Sequence, residues 1–278
     1  MERELVFVGL SSALAICATW TVAIATFRSR RAAVTSEVGA FWRVVAPVLA
    51  AAAVLAFFVG WAVQEPDPAD EWLEAGFWGL SAATAIVVLR ATARGLSALR
   101  IPPGLPVGVV GLFRPRVVVS EAFGRGVDES VLRAALAHEA AHVRHRDPLR
   151  IWLVAFATDL QWPLPGARSR FESWLLALEV ERDDEALARG ATRGALAEAI
   201  LAAARLTRGP TRTAVAAVGS EPGVALRMRR LLGGGARPRV RDDRRWAPWV
   251  VGSGLLFVAW LGHGWGDALL AVLPGVGR

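Results

Sequence analysis

The chain has 278 residues, 54% of them hydrophobic, with a mean hydropathy of +0.39 and a formal charge of +7. That apolarity excludes an ordinary soluble enzyme and points to membrane segments, in a chain long enough for one large domain or two modest ones. All of the positive charge is arginine, dispersed beside apolar runs instead of gathered in a stripe with aromatics, which excludes direct nucleic-acid binding and fits contact with a lipid bilayer.

The first uncharged run, Leu5 to Phe27, is followed at once by Arg28, Arg30 and Arg31. The charge follows the apolar run where a cleaved signal peptide would carry it first, so a retained span with its N-terminus outside is expected. Cys17 lies within it, and a single cysteine excludes an intramolecular disulfide and any cysteine-rich zinc cluster. A second run, Val44 to Val63, contains Pro47, tolerable where a neighbouring helix supplies donors. The acidic, proline-broken turn Gln64 to Glu71 then belongs outside, and a third span, residues 73–90, returns the chain to the cytoplasm at Arg90, Arg94 and Arg100.

Within Pro106 to Ser120 two β-branched runs flank a Leu-Phe-Arg-Pro-Arg corner, which predicts a small hairpin or strand pair. Its edge could pair with an extended substrate backbone. Asp128 is a candidate N-cap for a helix running through Val131 and Ala135 and ending by Asp147, before Pro148. That helix carries His138-Glu139-Ala-Ala-His142, and three of the four histidines fall between His138 and His145. Positions i and i+4 share a helix face, so His138 and His142 can reach one zinc ion while Glu139 stands beside them as a general base. Both histidines continue the Val131 and Ala135 face and are expected to point inward.

Leu149 to Trp162 is apolar and short for a span, which predicts a helix of the catalytic body or one against the membrane. Pro163 and Pro165-Gly166 break the chain, and Phe171 to Arg189 reads as a helix closed by Gly190. It must supply a third ligand, because catalytic zinc takes three protein ligands. Glu179 and Asp183 have the required i, i+4 spacing, one to bind metal and one to orient a histidine, but Glu181 and Glu185 have it too. A last span is predicted between Ala247 and Gly266, flanked by tryptophans, with His263 an interfacial residue.

The Val110 to Ser120 segment, the run His138 to Pro148, Glu179-Val-Glu-Arg-Asp183 and the pattern of spans together resemble the BlaR/MecR-type antirepressor membrane metallopeptidases, which are gluzincins. The resemblance implies Zn²⁺ held by His138, His142 and Glu179, with Glu139 catalytic, Asp183 behind the ligands and His145 a neighbour only. Arg182 stands where the family favours a small residue or cysteine. The expected architecture is mainly α: a membrane domain at residues 1–98 with spans near 5–27, 44–63 and 73–90, a gluzincin-like α+β peptidase at 99–245 in the cytoplasm, and a fourth transmembrane helix with a short outer tail at 246–278. Both termini would lie outside the plasma membrane. The chain ends at Arg278 without the outer penicillin-binding domain of antibiotic-sensing members, so direct β-lactam sensing is not expected. The implied substrate is a cytoplasmic protein such as a winged-helix repressor, or the chain itself at the Gly233 to Arg239 linker. A quality-control or prenyl-processing protease is the alternative within the same chemistry. A non-proteolytic signalling module with a structural metal site is the alternative outside it, and Glu139 argues against that because a closed site needs no base.

Overall fold

The structure is a computed structural model that describes residues 36–62, 85–86, 89–94, 96, 105–162, 166–206, 221–233, 256–258 and 260. Helix α1 (Glu37–Ala62) precedes strands β1 (Val107–Val110) and β2 (Arg116–Val119), followed by α2 (Glu121–Gly126), α3 (Glu129–Arg144), α4 (Asp147–Leu160), α5 (Ala167–Ala188), α6 (Arg193–Leu206) and α7 (Glu221–Leu232). The two strands form the predicted antiparallel hairpin, pairing Val107 with Val119 and Val110 with Arg116. Gly111 starts its connection at φ +96°, where a Cβ would lie 2.6 Å from the Arg114 carbonyl oxygen; only glycine fits there.

α5 is central because one of its stripes serves two cores. Phe171, Trp174, Leu175 and Leu178 recur at helical spacing and pack with Ala40 and Val44 of α1 and Val154 of α4. Further along, Ala186 joins a second core with Phe123, Val131, Ala134, Ala135, Leu196 and Leu231, which α2, α3, α6 and α7 supply. Between the two cores the same stripe is polar, and that stretch holds the candidate site.

α3 starts at Glu129 after Asp128, whose carboxylate makes no capping hydrogen bond. It ends at Arg144, and Arg146 at φ 52° turns the chain so that α4 begins with Asp147 and Pro148. A proline in the first turn gives up no helical hydrogen bond, and an acidic side chain there meets the positive end of the helix dipole. The stretch from Leu149 is thus a helix of the peptidase body. α5 closes at Gly190 with φ +96°, as its composition predicts.

The four-span architecture is corrected: among the described residues no helix is long and apolar enough to cross a membrane. The second predicted span falls in α1, which begins with the buried Glu37 and packs its first turns on α4 and α5. Gln161 donates to the Val44 carbonyl at 2.8 Å, a donor from a neighbouring helix near Pro47. The first predicted span with Cys17, the acidic turn, most of the third and fourth spans, His263, Pro163 and Pro165, and all of the Gly233 to Arg239 linker after Gly233 lie outside the described residues.

Candidate metal centre

On α3 the residues facing inward are Val131, Ala134, Ala135, His138, Ala141 and His142, one continuous helical stripe whose last turns hold the imidazoles. The two rings meet edge to face, with their Nε2 atoms 3.1 Å apart. Glu179 reaches them from α5, Oε2 lying 3.3 Å from His138 Nε2 and Oε1 3.6 Å from His142 Nε2. Among the described residues His138, His142 and Glu179 form the group of side chains able to hold a metal ion.

The donor set fits zinc. Ligands about 2.0–2.2 Å from zinc at tetrahedral angles stand roughly 3.3–3.5 Å apart, close to the spacings found. The outer ring nitrogens are also provided for. His142 Nδ1 lies 2.9 Å from Asp147 Oδ2, which favours the tautomer with its proton on Nδ1 and the Nε2 lone pair facing inward. His138 Nδ1 is 3.0 Å from Asp183 Oδ1, but the angle is too poor for a well-formed hydrogen bond, so that contact is chiefly electrostatic.

The electrostatics favour positive charge at this point. Burial disfavours a charged His138, yet the Asp183 and Glu179 carboxylates outweigh it and push its pKa up to about 10. Burial likewise opposes ionisation of Glu179, but Arg227 and the two histidines hold its carboxyl well below the usual range. Asp147 is held low against its burial by His142 and Arg182.

The Glu179 and Asp183 pair is thus brought to the histidines. Of the competing pair, Glu185 binds Arg144 at 3.0 Å and His145 at 2.9 Å, away from the cluster, and Glu181 is half-buried outside it. Glu139 is half-buried on α3, near enough to Arg227 for its charge to act on that guanidinium. Helical spacing does not separate the two pairs: Glu179 follows Leu175 by four residues, but Glu181 follows Trp174 by seven and Glu185 follows Leu178 by seven, so only the packing of α5 against α3 and α7 chooses between them.

Three partners were not anticipated as parts of the site. Asp147, fully buried, accepts from His142, from Arg150 at 3.0 Å and twice from Arg182, at 2.5 and 3.1 Å. Arg182, the departure from the family pattern, therefore braces the carboxylate behind His142. Arg227, on α7, donates through Nε and Nη2 to Asp183 at 2.8 and 2.7 Å and places Nη1 2.9 Å from Glu179 Oε2. Asp147 carried no periodic signal because the chain reverses just before it, and Arg227 shares its segment with Arg229 and Arg230.

Residues 104–230, which contain every one of these side chains, match the family model described as the BlaR1 peptidase M56. Over that segment the chain is similar to the BlaR1 peptidase M56 family. Members of the M56 family are zinc metallopeptidases, so a peptidase is the coarse identity of this body, and the His138, His142 and Glu179 cluster is its candidate metal site. No curated protein and no solved structure matches the chain.

Proposed function

We propose that the chain is a zinc-dependent endopeptidase that transmits a signal by cutting a cytoplasmic protein. The observation that carries the metal assignment is the convergence of two imidazole Nε2 atoms 3.1 Å apart with Glu179, the outer nitrogen of each ring lying beside a buried carboxylate. Zinc held by His138, His142 and Glu179 would supply Lewis acidity toward the scissile carbonyl and a nucleophilic water at neutral pH. Glu139 takes the proton of the attacking water and returns it to the leaving amine, so one carboxylate serves as base and then acid. Asp147 and Asp183 hold the imidazoles in place during both transfers. The hairpin packs against α3, and its edge offers main-chain groups to an extended peptide.

The proposed substrate is the one the resemblance implies, a cytoplasmic transcriptional repressor of the winged-helix type or the chain's own Gly233 to Arg239 linker, cut at the cytoplasmic face of the plasma membrane.

Glu139→Gln is the direct test. Zinc content, read by elemental analysis, should stay near one per chain while cleavage of a repressor substrate falls about 10²–10⁴-fold, the usual scale for general acid–base catalysis. Turnover surviving in the Gln variant would remove Glu139 as the base, and wild-type protein purified without metal would remove zinc.

A further inference from the structure

α1 lies outside the segment shared with the peptidase family, yet it enters the buried charge network behind the candidate metal site. Glu37, in its first turn, is only 4% exposed, and Oε1 accepts from Trp174 Nε1 and from Arg150 Nη2, both at 2.6 Å. Arg150 spans the next gap, its Nη1 donating to Asp147 Oδ1 at 3.0 Å. The other oxygen of Asp147 accepts from His142 Nδ1. Charge alternates along this path: carboxylate, guanidinium, carboxylate, imidazole. Arg150 and Asp147 share the first turn of α4, so the path runs from α1 through α4 to the imidazole on α3.

A carboxylate buried at the start of an apolar helix carries a heavy desolvation cost unless it is paired, and this one is paired to the residue that holds the histidine's partner. We propose that Glu37 is a positioning residue: through Arg150 and Asp147 it fixes the orientation of His142, so the seating of α1 against α4 and α5 sets the affinity of the site for zinc. The proposal rests on the zinc-site reading above. Arg182 supplies a second brace on Asp147, so loss of Glu37 weakens the hold on His142 without abolishing it.

The test uses the full chain, stripped of metal and titrated with Zn²⁺ against a fluorescent zinc chelator. A direct partner of a zinc-bound histidine is worth about 10–100-fold in metal affinity, so a residue one link further should be worth roughly 3–10-fold. Glu37→Gln, which keeps the side-chain shape and can still accept from Trp174, and Arg150→Met should each weaken zinc by that factor, and the double variant should lose no more than the worse single variant. In zinc-loaded protein labelled with ¹⁵N-histidine, the His142 Nδ1–H resonance should move in both single variants while that of His138 stays. A purely structural clamp would lower the unfolding temperature of the metal-free protein and leave zinc affinity and the His142 resonance unchanged; that result overturns the proposal, as do losses that add in the double variant. Wild-type chain that takes up no zinc overturns the site reading and this proposal together, whereas zinc bound equally by wild type and Glu37→Gln overturns this proposal alone.

Discussion

Arg227 shows how much of the site depends on one side chain. It is 6% exposed and faces both Asp183 and Glu179, so its removal strands two buried carboxylates. Arg227→Ala should lower stability by about 3–5 kcal/mol, the scale for breaking a buried ion pair from one side. Arg227→Lys should recover only part of this in denaturant unfolding, because an ammonium cannot reproduce the two-pronged contact with Asp183. Protonation gives a second check at the same scale. His138 is raised from its usual 6.5 to about 10, so in metal-free protein its contribution to stability is complete below pH 6.5 and is lost as pH rises through about 10. Glu179, Asp183 and Asp147 are lowered, so theirs is present above pH 4.5 and lost as pH falls further. With chelator present, these groups place the stability optimum between about pH 4.5 and 6.5. Zinc requires neutral His138 and should move the optimum upward. Thermal unfolding against pH, with and without zinc, reads this directly; coincident curves would contradict it.

At the scale of elements, α5 explains why some of the site could be read in advance and some could not. Its stripe from Phe171 to Ala186 has a single helical period, but Glu181 and Glu185 fit that period as well as Glu179 and Asp183 do, so periodicity could not choose the third ligand. Periodicity did place His138 and His142 on the buried face of α3. Asp147 escaped it because the left-handed Arg146 ends one periodicity and starts another, so its direction depends on how α4 leaves α3. The hairpin was predicted from its β-branched runs, and its connection depends on glycine. Gly111→Ala should destabilise the protein by about 1–3 kcal/mol, the usual cost of a side chain in a forbidden backbone region, with the Arg114 carbonyl contact adding to it. A melting temperature equal to wild type would mean the loop can relax.

For the molecule as a whole, the family-matched segment does not contain all of its own core. Ala40 and Val44 of α1 are buried with Phe171, Trp174, Leu175 and Leu178, so a fragment starting at residue 104 exposes that apolar face. It should bind a hydrophobic dye and unfold at a lower temperature than a fragment starting at residue 36; equal stability would show that α1 is dispensable to the fold. The sequence by itself determined the HExxH helix, the inward direction of its histidines and the hairpin, because each depends on local periodicity or turn chemistry. Residue type and spacing left the third ligand open between two pairs, and resemblance chose Glu179. Only the tertiary structure decided that Asp147, Arg182 and Arg227 surround the histidines, that Glu37 joins them, and that the first turns of α1 pack against the peptidase body. Apart from His142 on Asp147, five positions apart across the turn at Arg146, those contacts join residues 35 to 137 positions apart, and nothing in a local pattern encodes which buried charges will meet.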